Sequence, residues 1–452
     1  MRSRVNHRLL AGVAAAGVAA LALAGCTGDI ANEGNEDVDC APYEAYGTFE
    51  GKTVTIGGTI LDLEADRLDQ SWADFEVCTG IEINYQGTSE FEAQIAVLAE
   101  GGNAPDIGII PQPGLLARLA AGGWLIPASA EVEANVDEFW SEDWKQYGTY
   151  EGTFYAAPLM ASIKGYVWYS PAEFEDKGYE IPTTLDELKA LSEQIASEGD
   201  HKPWCVGIES GEATGWPGTD WIEDFVLRQA GPDVYDQWVT HEIPFNDPQI
   251  VAAFDGVGEY LKNPDMVNGG IGDVSTQISE AFQTAGLPIL DGECSLHHQA
   301  SFYETFWNPN GDEGNVVAPD GDIFAFLLPP VNADDPQAVT GGGEFPVAFR
   351  DAEEVEVVRA FLSSDTWANN RVSLGGVISA NKGLDPENAS SELLKQSIEI
   401  LQDPDTTFRF DGSDLMPGAV GADSFWKGIV SWIGGQSTQT VVDTIEASWP
   451  SS

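Results

Sequence analysis

Positive charge is what this sequence lacks. Twenty Lys and Arg residues stand against 74 Asp and Glu in 452 positions, a formal charge of −54. Such a surface repels nucleic acid and anionic lipid headgroups, so neither is an expected partner, and it suits a neutral or cationic ligand better than an anion. Its self-repulsion is relieved by salt, which points to a salty habitat; equal stability at low and high salt would contradict this. Cysteine is also sparse, at five, and histidine likewise, at five. No Cys-x-x-Cys or His-x-x-x-His spacing occurs, so no metal site, redox site or cofactor is implied. Adjacent His297 and His298 make a poor chelating pair and are expected at the surface or a pocket edge. Internal repeats and low-complexity blocks are missing, which argues against a solenoid or a repetitive surface module. With 43% hydrophobic residues, the chain is globular and long enough for two or three cored domains.

One long apolar run is present. Leu9 to Ala24 follows a basic flank of Arg2, Arg4, His7 and Arg8 and ends in Leu23-Ala24-Gly25-Cys26. This resembles a bacterial lipoprotein leader and its lipobox. The resemblance implies cleavage after Gly25, so that residues 1–25 are a signal peptide, and a diacylglycerol on Cys26. An ordinary secretory leader with a chance cysteine is the alternative. Residues 26–46 are polar and acidic and read as a lipid-anchored tether with a reach of roughly 25 Å. The expected location is the extracellular face of the cell membrane, periplasmic if an outer membrane is present. Four cysteines remain, Cys40, Cys78, Cys205 and Cys294, which allow three pairings. Cys40–Cys78 with Cys205–Cys294 is expected, because each bridge then lies within one half of the chain.

Along the chain, KTVTIGGTI (Lys52 to Ile60), IEINY after Gly80, and IGII after Asp106 read as strands. Between them, Leu68, Trp72 and Phe75 mark a helical face. Ser89 to Glu100 reads as a helix with a Ser cap and Glu92 completing a capping box. Gly114 to Gly122 and Thr183 to about Ser197 are further helices. The alternation predicts a parallel α/β lobe, then a second α/β unit from Tyr166 to Phe326.

The stretch Pro203 to Arg228 interleaves Trp204, Trp216 and Trp221 with Glu209, Glu212, Asp220, Glu223 and Asp224. Indoles beside carboxylates form a sugar-binding wall, since the C–H face of a pyranose packs on the ring while its hydroxyls donate to the acids. Core tryptophans beside solvated acids give the same pattern.

In order, GKTVTI, FEVCTGIEINYQG, GGNAPDIGIIPQPGLLARLAAGGWLIP, GTFYAAPLMASIKGYVWYSP and LMPGAVGADSFWKGIVSWIGGQSTQTVVDTIEAS resemble the family-1 sugar-binding solute-binding proteins of bacterial ABC importers. PWCVGIESGEATGWPGTDWIED is closer still to their α-glucoside branch. The likeness spans about Gly51 to Ser448. It implies an α/β, periplasmic-binding-protein-like type II fold of two lobes joined by crossover segments. Lobe 1 is expected over 47–160 and 335–370, and lobe 2 over 161–334 and 371–452. Sugar would be held between the lobes by a monomer and passed to membrane permease subunits, without covalent chemistry. The resemblance places a stacking ring at Trp426, preceded by Phe425, and contacts at Glu212 and Trp216, with Asp220 and Trp221 close by. On the first lobe it points to Asp62, Glu64 and Gln112. Gln299 and Phe302 would form another wall. Gly341, Gly342 and Gly343, at a second crossover, allow a hinge or a close backbone approach, or simply a flexible turn. The acid that maltodextrin binders carry on the first crossover is replaced here by Ser162.

An exported glycoside hydrolase is the rival reading, since Asp220 and Asp224 share a helical face. A binder of a non-sugar solute with the same fold is another, because tryptophans and acids also cage cations.

Overall fold

The computed structural model describes residues 38–270, 274–308 and 314–450. The leader, Cys26 and most of the tether lie outside the described residues. In chain order the principal strands are β1 (Lys52–Gly58), β2 (Ile81–Gly87), β3 (Ile107–Ile110), β4 (Ala161–Ile163), β5 (Tyr166–Tyr169) and β6 (Lys202–Cys205). They continue with β7 (Val267–Asn268), β8 (Cys294–Gln299), β9 (Phe324–Leu327), β10 (Ala338–Gly343), β11 (Phe345–Ala348) and β12 (Thr407–Phe410). The helices that matter below are α1 (Asp62–Ser71), α2 (Phe91–Glu100), α3 (Trp216–Ala230), α4 (Glu353–Leu362), α5 (Asp365–Ser373) and α6 (Trp426–Ile433).

Alternating Val54 and Ile56, both fully buried, make β1 the centre of the first sheet, ordered β11-β3-β1-β2. Its β1–β2 and β1–β3 pairs are parallel, as the alternation predicted. The edge strand β11 is antiparallel, with Phe345 opposite Ile110, because the chain returns to this lobe after crossing to the other. Gly57 is needed within β1: a Cβ there would meet the Phe91 ring at 2.9 Å. Behind the sheet Phe75 stacks on Phe361 of α4 at 4.2 Å, and Trp367 of α5 joins the same core.

The second sheet runs β9-β5-β8-β6-β7. The β8–β6 and β6–β7 pairs are parallel, and β8–β5 and β9–β5 are antiparallel. Its core holds Trp204, Trp221, Trp238, Phe254, Phe425 and Trp432. A third sheet, β12-β10-β4, consists of the segments that pass between the other two. Gly342 pairs with Ser162, and Ala338 with Thr407. In β10 a Cβ at Gly341 would stand 2.5 Å from the Ser162 carbonyl oxygen, and one at Gly343 2.7 Å from that of Met160. Close backbone approach, rather than a turn, is the reason for these glycines.

Both expected disulfides form, with Cα separations of 5.4 Å for Cys40–Cys78 and 5.6 Å for Cys205–Cys294. The first corrects the tether boundary at 46. Ala41–Tyr46 is a 3-10 helix, and its buried Tyr43 packs edge-on to Phe361 at 5.8 Å, so these residues belong to the first lobe's core rather than to a tether. The helix at 89–100 also starts later than expected, at Phe91. Thr88 Oγ1, not Ser89, accepts the Glu90 N–H, leaving Glu92 outside any capping box.

The Cys40–Cys78 bridge closes a loop of 38 residues. Loop-closure entropy gives such a bridge about 4 kcal/mol. Replacing both cysteines by Ser is expected to lower the unfolding free energy from urea titration by up to that amount, with the untouched Cys205–Cys294 bridge as internal control.

Candidate ligand cleft

Between the first and second sheets lies a cavity of about 350 Å³. Its first-lobe side is Thr59, Leu61, Glu64, Glu92 and Gln112. Its second-lobe side is Ser210, Trp216, Phe282, Phe302 and Trp426, and the crossovers supply the floor with Ser162, Lys164, Gly342, Glu344, Asp411 and Asp414. A roomier cavity of about 620 Å³ lies among Pro182, Gly231, Pro330 and Pro336, but it has one carboxylate, Asp335, and no aromatic ring. Convergent polar and aromatic groups make the smaller cleft the candidate.

Four rings build one wall. Trp216 opens α3, where Pro217 at the second helical position costs no hydrogen bond. Phe282 meets Trp216 edge-on at 4.9 Å, and Phe302 lies 6.2 Å away. Trp426, 7% exposed, opens α6. Gly215 precedes Trp216 with φ +121°, and a Cβ there would stand 2.4 Å from the Trp426 carbonyl oxygen. Only glycine lets the two helix starts meet this closely.

Opposite the rings are acids. Burial pushes Glu92 and Glu344 up to about 7, and raises Glu64 and Asp414 as well. In the floor, Lys164 Nζ reaches Asp220 at 2.9 and 3.0 Å and Asp411 at 3.0 Å, and lies 4.6 Å from the Trp216 ring centroid. Burial works against the charge on Asp411, but Lys164 and hydrogen bonds from Glu223 and Ser413 hold it down at about 2. Burial and the Asp411 charge together push the Glu223 carboxyl well above the usual carboxylate range. Asp220, Glu223 and Asp411 converge closely enough to ligate a metal. The cation that Asp220 and Asp411 face, however, is the Lys164 ammonium.

Of the residues singled out from the sequence, Glu64, Gln112, Trp216, Phe302, Gly342, Gly343 and Trp426 line the cleft together. Six do not. Phe425 is buried in the second core against Phe245 at 5.0 Å and Trp238 at 5.8 Å. Trp221 packs between Trp204 at 4.9 Å and His298 at 4.3 Å, on the face of α3 turned to the sheet. Asp220 is buried beneath the cleft on Lys164. Gln299 is spent on its own strand end, where its Oε1 accepts the Ala300 N–H. Asp62 and Glu212 are exposed and outside the lining. Asp62 carries a left-handed φ of 52° at the turn into α1. His297 and His298 are buried rather than peripheral, because β8 is the middle strand of its sheet. His297 Nδ1 meets the Cys205 carbonyl at 2.9 Å and His298 Nε2 meets Asp224 at 2.8 Å.

Sequence reasoning passed over Lys164, Glu92, Phe282, Glu344, Asp411 and Asp414. A lysine is the one basic residue in ASIKGYVWYSP, which in so acidic a chain was a usable signal.

The family profile described as bacterial extracellular solute-binding protein matches residues 62–285. The osmoprotective compounds-binding protein GgtB of Synechocystis is 38% identical over 413 residues, covering 91% of this chain and 96% of that one. The alpha-glucosides-binding periplasmic protein AglE of Rhizobium meliloti is 37% identical over 413 residues, covering 89% and 88%. Among solved structures, the bacterial solute receptor AcbH, described as preferring β-D-galactopyranose, aligns with a TM-score of 0.71 at 18% identity over 88% of this chain and 98% of that one. A chitin oligosaccharide binding protein aligns with a TM-score of 0.72 at 16% identity over 87% and 97%.

The raised carboxyl of Glu92 has a sign in the pH dependence of stability. Between the ordinary carboxylate range and pH 7 the folded chain holds a proton there that the unfolded chain has released, so stability falls as pH rises through that window. Glu92→Gln is expected to lose part of the fall in urea midpoint between pH 5 and pH 8 that the unaltered protein shows. Equal falls in the two proteins would contradict it.

Proposed function

Because the chain belongs to the bacterial extracellular solute-binding proteins and has their periplasmic-binding-protein-like type II α/β fold, we propose that it captures a neutral sugar, an α-linked glucoside or small oligosaccharide, and delivers it to the permease of an ABC importer. The carrying observation is the pairing of a wall of rings, Trp216, Phe282, Phe302 and Trp426, with acceptors and donors on the facing lobe, Glu64, Glu92 and Gln112. Rings take the C–H faces of a pyranose and the polar side chains take its hydroxyls. The AglE relative, named for α-glucosides, supports that substrate class. A cleft of about 350 Å³ is near the lower end of small-molecule sites, which favours a ligand of one or two rings. Sugar touching both lobes stabilises the closed arrangement, and closure is what the permease would read. The protein acts as a monomer, held by a lipid on Cys26 at the outer face of the cell membrane. Among the described residues no helix is long and apolar enough to cross a membrane.

Relatives and structural neighbours are solute-binding proteins, not enzymes, which removes the reason to read Asp220 and Asp224 as a hydrolytic pair. Their partners account for both carboxylates: Lys164 for Asp220, and Arg228, His298 and Thr340 for Asp224. A second reading has two supports. Four cleft acids, Glu64, Glu92, Glu344 and Asp414, and the GgtB relative, named for osmoprotective compounds, fit a small osmolyte that carries a cationic group.

A melting-temperature panel of maltose, sucrose, trehalose, glycerol glycosides, betaine and free amino acids separates the two. A true ligand at a hundred times its dissociation constant adds about 2.7 kcal/mol to folded stability. A rise with one glycoside, recovered unhydrolysed, is the expected result; a rise with betaine alone transfers the cleft to the second reading. Trp216→Ala and Trp426→Ala are each expected to weaken binding by roughly ten- to a hundredfold, the worth of a buried aromatic contact.

A further inference from the structure

Three buried acids within one stretch of α3 each fasten a different crossover. Asp220 takes Lys164, which directly follows β4. Asp224 accepts from Thr340 Oγ1, in β10, at 2.7 Å. Glu223 accepts from the backbone N–H groups of Gly412 and Ser413, just beyond β12, at 3.0 Å each. The crossovers are also tied to one another: the Lys164 N–H donates to the Thr340 carbonyl at 2.9 Å, and the Asp411 N–H to that of Gly341 at 2.7 Å. The same helix begins at Trp216 in the cleft wall, with Lys164 4.6 Å from its ring.

We propose that α3 couples the cleft to the hinge, with Lys164 as the positioning residue at the junction. The proposal rests on the solute-binding reading of the cleft and adds the route by which an occupied cleft reaches all three crossovers. An α-helix is stiff over the nine residues from Trp216 to Asp224. A tilt of Trp216 therefore moves Asp220, Glu223 and Asp224 as one body. Lys164 joins the first crossover to the third, since Asp220 belongs to α3 and Asp411 follows β12. Without its ammonium, Asp220 and Asp411 lose the group that joins them, and the first and third crossovers are no longer held to the helix through it. Because coupling is reciprocal, a change at the cleft end must be felt in the hinge, and a change at Lys164 must be felt at Trp216.

The test needs no ligand, so its outcome is separate from the identity of the solute. Hydrogen exchange is followed in the sugar-free full chain carrying Lys164→Met, Lys164→Arg or Trp216→Ala. Lys164→Met is expected to speed exchange about tenfold or more in residues 161–164, 338–343 and 407–413 together, while β1 and β8 keep their protection. Lys164→Arg restores most of that protection, and Trp216→Ala loosens the same three segments, which keeps the proposal testable if Lys164→Met does not fold. Acceleration in 161–164 alone, acceleration of β1 and β8 to the same degree, or a Trp216→Ala variant with unchanged exchange at 338–343 and 407–413 would overturn it.

Discussion

A lysine buried under the cleft is the constraint around which the rest is arranged. Lys164 has been taken out of water, a cost of several kcal/mol per ion, and recovers it only through Asp220 and Asp411 held at hydrogen-bonding distance. A set of this kind adds little net stability, because desolvation offsets the Coulomb gain. What it fixes is geometry. The ammonium sits where it does only if the end of β4, the turn after β12 and the start of α3 are all in place. Glu223 completes the set by accepting the Gly412 and Ser413 backbone N–H groups with its two carboxyl oxygens.

The sparse positive charge of the chain acquires a meaning here. Arg228, Arg359 and Arg371 are largely buried, as is Lys164. Burial lowers Arg371 to about 10, with Glu64 and Glu344 pulling the other way from beside the cleft. Several of the few cations are thus spent inside, holding segments together, and the unbalanced acids are left to the surface. The formal −54 is consequently more a property of the outside than of the working interior.

How much of this was legible depended on whether a residue's partner was local. Strand β1 could be read because alternation is a property of adjacent residues, and the helix from Leu185 because Thr184 caps it three residues away. The bridge partners followed from keeping each pair within one half. Trp216 and Trp426 were found because they sit where related sequences place rings. Trp221, Phe425 and Asp220 carry the same residue types and were not separable from them. Their difference is which face of a helix turns inward, and that is set by strands far away in the chain. Glu92 shows the converse: three residues after a serine it imitates a capping box, yet it lines the cleft. Lys164 stood out in sequence only as a lone basic residue; what it joins was not legible, because its partners lie 56 and more residues distant.

The rings of the cleft wall divide into two kinds. Trp216 belongs to the helix that fastens the crossovers, whereas Phe282 and Phe302 lie on short segments that carry none of those acids. Substitution at Phe282 or Phe302 can therefore reshape the cavity wall while the bonds from α3 to the crossovers stay intact. A scaffold divided in this way can change its diet by drift at a few rim positions, keeping its machinery as inheritance.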